Sequence, residues 1–194
     1  MAALGDVVAS LRPMDFQRET DTGNDPAVAL VLGVGEGGTG TAALSSDVRG
    51  LSLPKYVRGN VTAYGYVATF RIPDTATFAL TVGLTFRIYL SDDGSNAADL
   101  GTKVAIGLAI KRVPANATLS VDTGAATEVV TACTLSSTSG GVSITSIAIG
   151  NAALPASTAV GDLIVMRLRR KGTDTTNDTC GGRAILYGVE IENT

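Results

Sequence analysis

Histidine is absent from all 194 residues. Its absence removes the commonest proton-transfer group near neutral pH, and with it every Ser-His-Asp and Cys-His nucleophilic arrangement. It also removes imidazole-based zinc and iron sites. Tryptophan is absent too, and aromatic residues make up only 5% of the chain. There are two cysteines, Cys133 and Cys180, with no Cys-x-x-Cys pair and no spacing that suits zinc. A disulfide between them stays open at this point. Free thiols acting as small apolar side chains, and assembly inside a cell, are the favoured reading. No apolar run reaches the eighteen or so residues of a membrane helix. Met1 to Asp6 lacks the basic start and long apolar run of a cleaved export signal. Basic charge is not in excess either, with 15 Lys and Arg against 18 Asp and Glu. Nucleic-acid binding needs several cations over phosphates, so neither a nucleic-acid nor a membrane partner is expected.

What is present is small and β-branched. Glycine occurs 23 times, and 45% of the residues are hydrophobic, enough for a core without disulfides or metal. Residues 1–60 stand apart. They carry Asp15, Glu19, Asp21 and Asp25, a short apolar run from Val28 to Leu32, and then the glycine-rich stretch 33–40. Glycine at that density is costly to order, so residues 1–60 read as an extended arm that becomes ordered on a partner. From residue 61 the hydrophobic period is two. Tyr64, Tyr66, Ala68, Phe70 and Ile72 share one face, as do Val82, Leu84, Phe86, Ile88 and Leu90. Val104, Ile106, Leu108 and Ile110 follow, opposite Ala105, Gly107 and Ala109; such small outer residues predict cover on both sides, or a neighbouring subunit. A weaker strand is predicted over 129–135, another strand over 142–149, and two more over 162–170 and 183–192. In the last, Ile185, Tyr187, Val189 and Ile191 are assigned to one face. Seven strands from residue 61, and a further one at 28–32, with turns every 8–12 residues, predict an all-β, antiparallel jelly-roll-like β-sandwich over 61–194.

The candidate sites are weighed one by one. Gly33-x-Gly35-x-x-Gly38 matches the dinucleotide pattern, but that pattern needs a following helix within a βαβ unit, and strands follow here. No cofactor is assigned. Glu190 and Glu192 share a strand face that reads as solvated. Asp92, Asp93, Ser95, Asn96 and Asp99 could offer oxygens to calcium, as could Asp174 to Asp178. Both segments lack the closing glutamate of a calcium loop and read as solvent turns, so no metal ligand is assigned. No pair of carboxylates suggests glycoside hydrolysis, and no catalytic residue is assigned. Arg167, Arg169, Arg170 and Lys171 form the densest basic run. Arg167 and Arg169 would point together, either to clamp an acidic partner or to protect a sheet edge. With Arg12 and Arg18 in the arm, they are the candidate partner-binding residues.

The segment Gly161-Asp162-Leu163-Ile164-Val165-Met166-Arg167-Leu168-Arg169-Arg170 is followed by a Thr- and Asp-rich turn and then by Arg183-Ala184-Ile185-Leu186-Tyr187-Gly188-Val189-Glu190-Ile191. This ending resembles the C-terminal hairpin of jelly-roll virion proteins of tailed bacteriophages. The stretch from Phe70-Arg71-Ile72-Pro73-Asp74 to Leu84-Thr85-Phe86-Arg87-Ile88 is similar to their strand, proline, strand opening. The resemblance covers about residues 61–193. The turn at 171–182 departs from it, being richer in Gly and Cys. It implies a non-enzymatic capsid decoration (cement) protein on the virion surface, assembled in the host cytoplasm, trimeric, and bound to the major capsid protein, with the arm as the contacting part. The alternative is a tail or fibre component binding a host-surface glycan, a reading weakened by the absence of Trp and by tyrosines lying within strands.

Overall fold

A computed structural model describes residues 7–18, 31–32, 49–53, 55, 64–73, 83–94, 96–113, 128–150, 153–155, 158–159 and 161–193. Eleven strands occur among them: β1 (Val7–Leu11), β2 (Gln17–Arg18), β3 (Val31–Leu32), β4 (Arg49–Leu53), β5 (Tyr64–Arg71), β6 (Gly83–Asp92), β7 (Lys103–Val113), β8 (Val129–Thr134), β9 (Ser143–Gly150), β10 (Leu163–Arg170) and β11 (Ala184–Asn193). Two single 3-10 turns, Pro13–Asp15 and Ala97–Asp99, are the only helical elements among the described residues.

The strands form two antiparallel sheets. One runs β3-β4-β11-β6-β9, with β1 also on β11; the other runs β2-β5-β10-β7-β8. The pairings are nested: β4 with β11, β5 with β10, β6 with β9, and β7 with β8. That is one long hairpin of eight strands rolled up so that alternate pairs fall in opposite sheets, which is the jelly roll. The β-sandwich expected from the period-two pattern is therefore present.

The alternation sets the core. Tyr66, Ala68, Phe70 and Ile72 from β5 and the residue after it face Leu84, Phe86, Ile88 and Leu90 from β6, and all eight are buried. Phe70 and Phe86 meet edge to face across the sheets at 6.2 Å, a favoured aromatic geometry. β7 and β10 add Val104, Ile106, Leu108, Ile110, Ile164, Met166 and Leu168. Ala105, Ala109 and Val165 point away from this core yet are fully buried. A Cβ on Gly107 would sit 2.6 Å from a Glu128 carboxylate oxygen. The β7–β10 region is thus covered on both faces within one chain, so its small outer residues are not left for a neighbour.

Two expectations are corrected. Residues 1–60 are not an arm separate from a sandwich that begins at 61. β1 and β4 both pair with β11, one after the other along the same edge. Leu11, Phe16, Leu51 and Leu53 are in the core. These strands are short and their partner lies at the far end of the chain, so no local pattern announces them. The glycine-rich stretch 33–40 lies outside the described residues, as do residues 28–30 of the strand predicted over 28–32. The second correction concerns β11. Its register shifts between Leu186 and Gly188, so Ala184 and Leu186 face the core before the shift and Val189 and Ile191 after it. A bulge adds one residue and inverts the alternation. Ile185 and Tyr187 therefore lie opposite to Val189 and Ile191.

Candidate functional site

The predicted partner-binding arginines do not form one surface. Arg12 is exposed, at the start of the Pro13–Asp15 turn, where its backbone N–H donates to Asp15 Oδ2 at 2.7 Å. Arg18 lies in β2 and pairs with Tyr66; its side chain is outside the described set. Arg167 and Arg169 do share the outer face of β10, but Arg167 is only 9% exposed, flanked across the sheet by Val67 and Ala109. β10 is a central strand, between β5 and β7. The run is therefore neither an exposed clamp nor an edge guard.

Arg170 points the other way, into the sandwich. Its five N–H groups are all used: Nε and Nη2 on Asp178, Nη1 on the carbonyls of Leu53 and Gly182, and Nη2 again on that of Cys180. Lys55 also approaches Asp178, at 3.9 Å. Burial disfavours the charged guanidinium, but the hydrogen bonds and charge of Asp178 outweigh it and hold Arg170 above its ordinary range. This cluster fastens the 171–183 connection to β4 and β10 and has no spare valence for a ligand.

The face of the β6–β11 sheet that looks away from the core carries an interlocked polar set. Arg87 Nε meets Glu192 Oε2 at 3.0 Å. Tyr89 donates to Glu190 Oε2 at 2.8 Å, and the carboxylate pushes the phenol up. Ser91 donates to the Tyr187 hydroxyl at 3.1 Å. Glu190 and Glu192 do share one face, as the spacing predicts. Glu192, however, is buried under Arg87 rather than solvated.

A third surface is defined by a missing residue type. Residues 129–161 contain no Asp, Glu, Lys or Arg, although the rest of the chain holds fifteen basic and eighteen acidic residues. This stretch forms β8, at the edge of one sheet, and β9, at the edge of the other, and the two strands lie against each other on one side of the sandwich. Among the described residues, β8 pairs only with β7 and β9 only with β6. Three large apolar side chains of this stretch are exposed, Val130, Val142 and Ile144, at 42%, 51% and 57%; Val130 lies on the outer face of its sheet beside Gly107, and Ile144 on the outer face of the other sheet beside Tyr89. Proteins normally guard free sheet edges with charge, proline or bulges, and neither strand has any of these. The signal was available in the sequence as a gap in charge, which strand periodicity does not register.

No protein-family model matches the chain, and no curated protein sequence matches it. One solved structure, titled as a Xyl-CBM35 in complex with a disaccharide containing glucuronic acid, superposes over 91% of this chain and 91% of its own. The identity is 11% and the TM-score 0.41. Among the described residues, no helix is long and apolar enough to cross a membrane.

Proposed function

We propose that this chain is a non-enzymatic virion structural protein, a capsid decoration protein that docks as a trimer on the major capsid protein. The observation that carries this reading is the stretch 129–161, which has no charged residue and forms the two edge strands β8 and β9. Two adjoining unprotected strand edges, with Val130, Val142 and Ile144 exposed on them, suit permanent burial against another protein. A jelly roll packed on both faces of its second sheet supplies a rigid body for that contact. The resemblance of residues 161–191 to phage jelly-roll endings supports the same class. The partner surface moves from the arginines to this side.

The test is co-sedimentation with heads assembled from the major capsid protein of the same virus. The unmodified protein should sediment with them, and Ile144→Lys and Ser146→Glu should remain in the supernatant. Both positions are exposed, so the melting temperature should hardly change. Wild type that fails to sediment, or variants that sediment equally well, would overturn the reading. Light scattering on the free protein reads the trimer separately.

A second reading, glycan binding by a tail or fibre component, draws support from the Tyr89, Tyr187, Arg87 and Glu190 face, which sets aromatic rings beside fixed polar groups. A specific hit on a glycan array, lost in Tyr89→Ala, would favour it over decoration.

A further inference from the structure

Strands β8 and β9 run in opposite directions, because the short connection 135–142 leaves one sheet and enters the other at the same end of the sandwich. Inside the sandwich the side chains of Cys133 and Thr145 reach each other, so these two residues stand at one height along the strands. The outward rows are Val130, Ala132 and Thr134 on β8, and Ile144, Ser146 and Ala148 on β9; none of the six is buried. The rows face opposite ways, since the strands belong to opposite sheets. Within one chain they do not make one patch.

A second copy changes that. Rotation about an axis along the strands sets β9 of one copy beside β8 of the next. The two strands are then antiparallel, the more stable pairing. The outer face of one sheet continues into the outer face of the neighbour's other sheet, so the two rows come to lie on one surface. Such a rotation moves nothing along the axis, so the heights within one chain fix the register. Thr145 falls opposite Cys133 of the neighbour, Ile144 opposite Thr134, Ser146 opposite Ala132 and Ala148 opposite Val130.

Three properties of the sequence suit this register. All six residues of β8 are covered, by residues 144–149 of β9. Outward residues oppose outward ones, where a slip of one residue would turn every side chain to the wrong face. Each outward pair matches a large side chain with a smaller one, or two small ones. In addition, no charge occurs between 129 and 161, so no like charges can oppose each other across the joint. Neither ladder carries a bulge that would turn its edge away.

We propose that further copies of this chain cover both edges, β9 of each pairing with β8 of the next in the register Ser146 to Ala132. This rests on the reading that these edges are buried against another protein, and it assigns that protein: the next copy in a ring, which meets the capsid as an assembled body. A head-to-tail contact uses two different edges and closes when the rotation completes a circle, leaving neither strand free. The decoration reading sets the ring at three copies; the strand pairing is the same for two.

The experiment uses the full chain in solution, without capsids. Light scattering on a sizing column should give the mass of several chains. Ala132→Lys and Ser146→Glu should each reduce it to the mass of one chain, because each sets a charge in the joint. Combined in one chain they should restore the larger mass, since the register places the two new charges directly across from each other between copies. Val130→Cys with Ala148→Cys should form a disulfide between chains under mild oxidation, the opposed positions being within the reach such a bond requires. Val130→Cys with Ile144→Cys, about 13 Å out of register, should not. A wild-type protein that stays monomeric would overturn the proposal. So would a charge pair that stays monomeric, or two cysteine pairs that cross-link alike. The decoration reading fails separately: a protein that assembles and cross-links as described but does not sediment with heads leaves the pairing standing, and a monomer that does sediment leaves decoration standing without it. A two-copy mass with the same cross-link supports the pairing and overturns the trimer.

Discussion

Arg170 and Asp178, eight residues apart, close on each other as a two-point ion pair, with Nε to Oδ2 and Nη2 to Oδ1 both at 2.7 Å and neither side chain exposed. The even positions of β10 face the core, so residue 170 continues the inward row begun by Ile164, Met166 and Leu168. A buried guanidinium is tolerable only when every donor is matched. Here the 171–183 connection supplies the match by folding its own carbonyls and Asp178 over it. Arg170→Met would leave the buried Asp178 carboxylate with only Lys55, 3.9 Å away, and the Ala105 N–H, and should cost about 3–5 kcal/mol. Arg170→Lys should cost nearly as much, because one ammonium cannot replace a planar fork that bonds five acceptors. Removing both charges, as in Arg170→Met with Asp178→Leu, should recover much of the loss. Urea denaturation midpoints of the three variants would measure this.

Deleting residues 1–60 should unfold the protein rather than merely weaken its docking. Leu11, Phe16, Leu51 and Leu53 are core residues, and β11 would lose the strands along one edge. Four large side chains at about 1.5–3 kcal/mol each come to roughly 6–12 kcal/mol, comparable to the whole stability of a typical domain. The deleted protein should lose its near-ultraviolet circular dichroism. A truncation that kept a native spectrum would show that β1 and β4 are dispensable. Capsid-binding assays therefore call for point substitutions.

Strands β5, β6 and β7 are legible in the sequence because their large core-facing apolar residues alternate without interruption with small or polar ones. β11 is legible in extent but not in phase. Its inversion at Tyr187-Gly188 exists because the Leu11 carbonyl, from the other end of the chain, approaches the strand there. A Cβ on Gly188 would sit 2.7 Å from that oxygen. A glycine inside a strand is the local trace of such an approach, but it does not say what approaches. Gly188→Val should separate β1 from β11 and cost about 1–3 kcal/mol, with faster amide hydrogen exchange confined to Val7–Leu11 and its partner residues as the readout. The basic run misled for a related reason. Period two already places Arg170 opposite Arg167 and Arg169, but only the folded connection shows that a carboxylate waits there.

Both thiols should be silent in the native protein. Burial pushes Cys133 up to about 11, and burial also raises Cys180 in spite of the Arg170 charge beside it. The thiolate is the reactive form, and at pH 7 roughly one Cys133 in ten thousand carries it. A chromogenic disulfide reagent should label neither cysteine of the folded chain within hours and both after denaturation. Rapid labelling of the native protein would mean that Cys133 and Cys180, both buried, are exposed by an opening motion.

Acid should weaken the fold through Asp162. Its carboxylate accepts from Arg112 Nε at 2.7 Å and from the Ala159 N–H at 2.7 Å. The hydrogen bond from Arg112, the largest influence, holds the group below its ordinary range. A carboxyl depressed in the folded state takes up its proton later than in the unfolded chain. Its contribution is therefore complete above the unfolded value near 3.9 and is lost as pH falls through the folded one. Both side chains are partly exposed, so the loss is about 1 kcal/mol. Asp162→Asn should be less stable than wild type at pH 7, and the two proteins should converge as the pH drops below about 3. Asp174, held down by its hydrogen bonds with Asn177, titrates in the same direction, so the Asp162→Asn protein should keep a shallower acid slope and not lose it altogether. Melting temperatures of the two proteins between neutral and acid pH decide the matter. A constant gap between them would mean that Arg112 does not stabilise the carboxylate, and that the join between β7 and the turn before β10 is held by backbone hydrogen bonds alone.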